Sequence, residues 1–243
     1  MNLELDNKVV VITGGSSGIG AAMVKAFAAE GCQVHFCGRS IEKIKQTSAQ
    51  CAASHGKVHG VQLDVTNAEM LAQWLDAIAQ FDILVPNVSA LSGDWQTALT
   101  TDLNTTLSLT ELALPKLADS KAAAITFIGS KAASLAAPQA SAYGAVKAAL
   151  AHYMKSLATR LAPRIRVNVL SPGDTWSEGG LWDKLSQTDA SSFQKVVARN
   201  PLGRLATAEE IARVAVFLSS PAASFVSGAN WYVDGNSCAQ VQF

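Results

Sequence analysis

Val9-Val10-Val11-Ile12-Thr13-Gly14-Gly15-Ser16-Ser17-Gly18-Ile19-Gly20 opens on a β-branched run and passes directly into a glycine-spaced loop. The apolar run reads as a buried strand, and Ala21–Glu30, ended by Gly31, reads as the helix behind it. Strand, glycine loop and helix in that order form a phosphate cradle. Glycine lets the backbone turn tightly and approach an anion whose charge rests at the helix N-terminus. A lone glycine motif is weak evidence, but its place after the first strand and before a helix separates it from an ordinary turn.

Outward from this unit, short β-rich runs alternate with longer helical patterns. Val9–Thr13, Val34–Cys37, Val58–Leu63, Ile83–Val85, Ala124–Ile128, Val167–Leu170 and Trp231–Val233 read as strands. Helices between them, such as Ala208–Leu218 behind a Thr207 cap with Glu210 three residues on, predict a parallel sheet covered on both faces. The layout is a doubly wound α/β fold. A stretch from Ser171 to about Ser192, with Pro172, Gly173, Gly179 and Gly180 and the exposed-looking Trp176 and Trp182, reads as irregular. Long loops in compact domains serve as lids or binding loops, and this one follows a strand C-terminus, the edge where such sheets bind ligands.

The 243 residues are 49% hydrophobic and 16% charged, enough to bury one sizeable core, so residues 1–243 read as one domain. Lys plus Arg and Asp plus Glu balance at 19 each, and no basic stripe supports nucleic-acid binding. The N-terminal segment lacks a basic region followed by an apolar one, and no apolar run is long enough to span a bilayer; the expected setting is cytoplasmic, with no membrane partner. Cys32, Cys37, Cys51 and Cys238 show no metal or disulfide spacing, and His35, His55, His59 and His152 are scattered, so no metal is expected.

Tyr143 and Lys147 are four residues apart in an Ala-rich helical segment, which puts phenol and ammonium on one face. Ser130 closes the fifth strand upstream. Tyr143 alone would read as a buried aromatic with a polar tip; with Lys147, Ser130 and the glycine loop it reads as a proton-transfer group. Lys131, beside Ser130, reads as a solvated charge.

At this point the chain resembles the short-chain dehydrogenase/reductase family over essentially its whole length. The resemblance rests on the GxxxGxG loop, Asp64-Val65, Ser130, Tyr143 with Lys147, Pro172-Gly173, and Val233-Asp234-Gly235. It implies a single-domain Rossmann-type fold that binds NAD(H) or NADP(H) through Gly14, Ser16, Ser17, Gly18, Ile19 and Gly20. Asp64, with Val65, would meet the adenine; Asn87 would line the cofactor; Tyr143 and Lys147 would hold the nicotinamide ribose. Pro172, Gly173, Thr175 and Ser177 would border the nicotinamide.

Where a carboxylate would grip the adenosine ribose, this chain has Gly38-Arg39-Ser40. A guanidinium at Arg39 can bind a 2′-phosphate bidentately, so NADP(H) is favoured and NAD(H) is the alternative. Ser16, Ser17 and Ser40 can add hydrogen bonds.

Two departures from the family pattern stand out. The usual Asn-Asn-Ala-Gly reads Pro86-Asn87-Val88-Ser89, with added side-chain volume near the cofactor. Asp102 falls where the family has an Asn that holds a relay water; a carboxylate there would raise the pKa of Lys147 and weaken the positive field at Tyr143. The resemblance implies Tyr143 as acid/base with its pKa lowered by Lys147, Ser130 as substrate orienter, and Asp102 in an altered relay. Trp176, Leu181 and Trp182 are candidates for an apolar substrate wall within a loop region about 173–198.

The expected function is an NADP(H)-dependent oxidoreductase interconverting a carbonyl and a secondary alcohol. The alternatives are an NAD-dependent alcohol dehydrogenase and a catalytically weak dinucleotide-binding sensor or scaffold, which the two departures favour. The partner is a small molecule. A homodimer or homotetramer is implied through the long helices Thr97–Leu117 and Ala140–Leu161, where Ala145, Ala148, Ala149 and Ala151 suit either close helix approach or packing on the sheet.

Overall fold

The computed structural model describes residues 1–241. In chain order the first half runs β1 (Val9–Ile12), α1 (Gly18–Ala29), β2 (Gln33–Gly38), α2 (Ile41–Gln50), β3 (Lys57–Gln62), α3 (Ala68–Asp76), β4 (Ile83–Val85) and α4 (Trp95–Thr97). A π-helical segment, Ala98–Asn104, joins α4 to α5 (Thr105–Leu117). Then come β5 (Ala124–Ile128), α6 (Ser141–Leu161), β6 (Arg166–Pro172), β7 (Thr175–Trp176), α7 (Leu181–Thr188), α8 (Ala190–Ala198), β8 (Ala206–Thr207), α9 (Ala208–Ser219) and β9 (Asn230–Val233).

All the strands expected from sequence form one 7-stranded sheet in the order β3-β2-β1-β4-β5-β6-β9, parallel throughout. Central strands such as β1 and β5 are buried almost end to end, because helices cover both sheet faces and alternation is unnecessary. One core, with Val11, Phe127, Val146 and Leu150, fills the face under α3, α5 and α6. The other, with Val10, Ile12, Phe27 and Ile211, fills the face under α1 and α9. The Thr207 cap on α9 is a reciprocal capping box with Glu210, as the spacing predicts.

Arg166, at the start of β6, staples α9 to the sheet. Its Nη1 donates to the carbonyls of Leu218 (2.9 Å) and Val226 (3.2 Å), and its Nη2 to those of Ser219 (3.1 Å) and Ser220 (2.9 Å). Helix C-termini leave carbonyls without intrahelical donors, and a guanidinium satisfies several at once.

The stretch from Ser171 to about Ser192 is not irregular. It contains the end of β6, all of β7 and α7, and the first turn of α8. α7 is short and buries no side chain, and Gly179-Gly180 just before it read as a loop. β7 pairs in parallel with β8, bringing together the two ends of the 177–205 segment. Among the described residues no helix is long and apolar enough to cross a membrane.

Candidate functional site

The strand order reverses between β1 and β4, and the loops leaving the C-terminal ends of β1, β2, β4, β5 and β6 carry most of the residues singled out by sequence. Such a switch point opens a crevice for ligands. The glycine loop leaves β1 with Gly14 at φ +67° and Gly18 at φ +53°. Asn87 locks it from below: its amide nitrogen donates to the carbonyls of Thr13 (3.0 Å) and Gly14 (3.3 Å), while its own N–H meets Thr13 Oγ1 at 3.1 Å. The side chain of Asn87 therefore holds the loop. A Cβ on Gly20 would fall on the Gly14 carbonyl, which explains the bare backbone there. Val88 packs partly against the core, with Cγ2 close under Gly14, so at least part of its extra volume fills space beneath the loop.

Ser17 caps α1 in an extended conformation but offers no side-chain hydrogen bond to the first-turn amides. Amides at Gly18, Ile19 and Gly20 thus form a cradle that suits a phosphate. Ser16 lies against Gly38 at the end of β2, and Ser177, beyond β7, approaches Gly18. Arg39 is exposed beyond β2, and its charge helps to lower the Asp64 pKa. The larger causes are hydrogen bonds to Asp64 Oδ1 from the Thr66 N–H (3.0 Å) and hydroxyl (2.8 Å). Ser40 caps α2, its hydroxyl accepting from the Lys43 N–H. Val65 is buried behind Asp64.

Ser130, Tyr143, Lys147 and Asp102 converge at the ends of β4 and β5. Lys147 is 2% exposed; its Nζ donates to the Ile128 carbonyl at 2.9 Å and lies 4.8 Å from the Phe127 ring centroid and 5.8 Å from that of Tyr143. Burial lowers its pKa to about 8, and the Asp102 charge opposes that fall. Burial likewise pushes the Tyr143 phenol up, the neighbouring Ser130 hydroxyl pulls it back, and Asp102 raises it again. The phenol is therefore shifted upward, not downward as expected from Lys147, because desolvation is the largest influence on it and the one lowering contribution comes from Ser130.

Asp102, rather than the exposed Asn104, points inward from the π-helical segment and is 1% exposed. Its Oδ2 accepts the Ala90 N–H at 2.9 Å, and its Oδ1 has no hydrogen-bond partner among the described residues. Pro172 is buried, Gly173 lies against Asp234, and Thr175 Oγ1 donates to the Gly173 carbonyl at 3.0 Å. Trp176 and Leu181 are exposed and Trp182 half-buried, all at the start of the 177–205 segment or beside it.

Lys131 is not the solvated charge its position suggests: its Nζ sits 2.6 Å from Asp174 Oδ2. The β5–β6 register, with Ile128 opposite Leu170, was the signal for this pair, since it carries the residues just beyond both strands into proximity. His35 and His59, in register on β2 and β3, stack with ring centroids 4.9 Å apart.

Sheet order and the loops gathered on one edge define a Rossmann-like α/β protein. The family model described as enoyl-(acyl carrier protein) reductase matches residues 14–235. Isoepoxydon dehydrogenase of Penicillium expansum is 33% identical over 251 residues, with 96% of each chain covered. D-threitol dehydrogenase of Mycolicibacterium smegmatis is 32% identical, with 96% of this chain and 94% of that one covered. The crystal structure of L-sorbose reductase from Gluconobacter frateurii, complexed with NADPH and L-sorbose, superposes with a TM-score of 0.91 at 27% identity, covering 99% of this chain and 100% of that one. The chain belongs to the short-chain dehydrogenase/reductase family, oxidoreductases that bind NAD(P)(H) and act on CH–OH and C=O groups.

Proposed function

We propose that the protein is an NADP(H)-dependent oxidoreductase interconverting a small carbonyl compound and its secondary alcohol, with Tyr143 as acid/base. The observation that carries this reading is the convergence of Ser130, Lys147 and Asp102 on the Tyr143 phenol. The residues fit the cofactor: Gly14, Ser16, Ser17, Gly18, Ile19 and Gly20 would hold the pyrophosphate, Arg39 the 2′-phosphate, Asp64 and Val65 the adenine side, and Pro172, Gly173 and Thr175 the nicotinamide side. When bound, the cofactor supplies or accepts the hydride.

In reduction, Ser130 donates a hydrogen bond to the carbonyl oxygen and orients it. Tyr143, its pKa raised by burial, is protonated at neutral pH and gives its proton to the oxygen as negative charge develops there. Lys147 favours the resulting phenolate and clamps the ribose. Asp102, with its free Oδ1, accepts a hydrogen bond from the relay that returns a proton. In oxidation each proton runs backwards.

Asp102→Asn tests the coupling. Its charge raises both Tyr143 and Lys147, so its removal lowers both pKa values. Alcohol oxidation needs the phenolate; the rising limb of kcat/KM against pH is therefore expected to move to lower pH. A superimposable profile would refute the coupling.

Cofactor preference is read by titrating the protein with NADPH and NADH and following tryptophan fluorescence. The expected result is tighter NADPH binding, weakened about 10- to 100-fold in Arg39→Glu as charged hydrogen bonds are lost. Equal affinities in the wild type would remove Arg39 from the site. The NADPH complex of L-sorbose reductase supports the same preference.

A homo-oligomer formed through α5 and α6 is part of the proposal. Ala145 and Ala149 are exposed and Ala148 half-buried, so these three small residues are not consumed by packing on the sheet, whereas Ala151 packs against the core.

A further inference from the structure

Lys131 and Asp174 each directly follow a residue of the site, Ser130 and Gly173. Beyond the ends of β5 and β6 their side chains form a pair that is only 18% and 12% exposed, and Lys131 Nζ also donates to Ser237 Oγ at 3.1 Å. Ser237 belongs to a turn organised by Asp234, whose Oδ1 accepts the Asn236 N–H (3.1 Å) and whose Oδ2 accepts the Cys238 N–H (2.8 Å). Asp234 in turn packs on Gly173, where a Cβ would lie 2.6 Å from the Asp234 Cα. The Asp174 carbonyl accepts the Ala206 N–H at 3.0 Å, at the base of the 177–205 segment. One ammonium therefore joins three segments that lie far apart in the sequence.

The turn on the other side is compact. Ser130 Oγ accepts the Ala132 N–H at 3.1 Å, and the Ser130 carbonyl accepts the Ala133 N–H at the same distance. A displacement at Lys131 is transmitted to the Ser130 hydroxyl over one peptide unit. The ammonium is already bonded to a carboxylate and a hydroxyl, which argues for a tie within the protein over a free charge offered to substrate.

We propose that Lys131 is a positioning residue: by bridging Asp174 and Ser237 it holds the turn that carries Ser130 against the base of the 177–205 segment and sets the Ser130 hydroxyl relative to Tyr143. This rests on the roles given to Ser130 and Tyr143 above. It makes the placement of the substrate-orienting hydroxyl depend on the post-β6 loop and on the turn at 234–238. Breaking a largely buried ion pair from one side leaves the other charge uncompensated, so either single substitution loosens all three segments.

The test combines amide hydrogen exchange with steady-state kinetics on Lys131→Met, Asp174→Asn and Lys131→Arg; Asp174→Asn keeps the shape of the site if Lys131→Met folds poorly. In the first two variants the amides of 130–134 and 234–238 are expected to exchange faster while those of α3 keep their rates. A misplaced orienting group should lower kcat by about 10- to 100-fold with the cofactor KM unchanged, and Lys131→Arg should recover most of that loss. An unchanged kcat overturns the inference. So does a lower kcat with unchanged exchange, which would make Lys131 a substrate contact. Absence of turnover in the wild type, on carbonyls and alcohols with either cofactor, would instead sink the functional reading, and unchanged exchange would still overturn the tie.

Discussion

Replacing Tyr143 by Phe is expected to lower turnover by about 10²- to 10⁴-fold, the usual contribution of a positioned acid/base, while NADPH still quenches the tryptophans. The substitution removes one oxygen and keeps the ring. Burial is the largest influence on this phenol, so the Phe ring gains the same packing without a polar atom to desolvate, and the fold should persist. Ser130 and Lys147 remain to bind carbonyl and ribose, which is why affinity and turnover should separate. Turnover of a ketone or alcohol panel, measured beside cofactor affinity, decides it. Activity retained in Tyr143→Phe would remove the proposed acid; a wild type that binds cofactor and turns over nothing would favour the sensor or scaffold.

The second large effect concerns stability. Arg166→Met withdraws the four hydrogen bonds by which its guanidinium joins β6 to the end of α9 and the chain beyond it, leaving Val226 its second donor, Asn168 Nδ2. Water can reach some of these carbonyls, but leaving two dry at about 1–3 kcal/mol each gives a loss of roughly 2–6 kcal/mol. For a chain of this size that lowers Tm by about 10 °C. Arg166→Lys, with one ammonium in place of the guanidinium fork, should recover only part. Thermal and urea melts of the three proteins measure this, and a Tm within about 2 °C of wild type would show that the carbonyls find other donors.

The sheet was legible because its strands are local runs of β-branched residues, and a parallel sheet buried on both faces needs no finer pattern. Val9–Ile12 and Ala124–Ile128 could hardly be anything else. The geometry of the candidate site was legible where it is written into spacing: Tyr143 with Lys147 on one helical face, Gly14 to Gly20 between strand and helix. Asp102 could be placed only through the family alignment, because nothing local marks Ala98–Asn104 as π-helical. The helices of the 177–205 segment stayed hidden because each is short, α7 spanning Leu181–Thr188 and α8 Ala190–Ala198, and the Gly179-Gly180 pair ahead of α7 reads as a loop. Lys131 was misread for a different reason: its partner is 43 residues away, and only the register of β5 against β6 brings the two together.

The short β7–β8 pairing has an evolutionary meaning. It brings the start and finish of the 177–205 segment side by side, so what lies between can change length without pulling on the main sheet. Each doubling of such a loop adds only about 0.6 kcal/mol of closure entropy. On the function proposed above, the segment is an exchangeable cassette: selection could rewrite which molecules are admitted there while the proposed proton-transfer residues on β5 and α6 stay as they are.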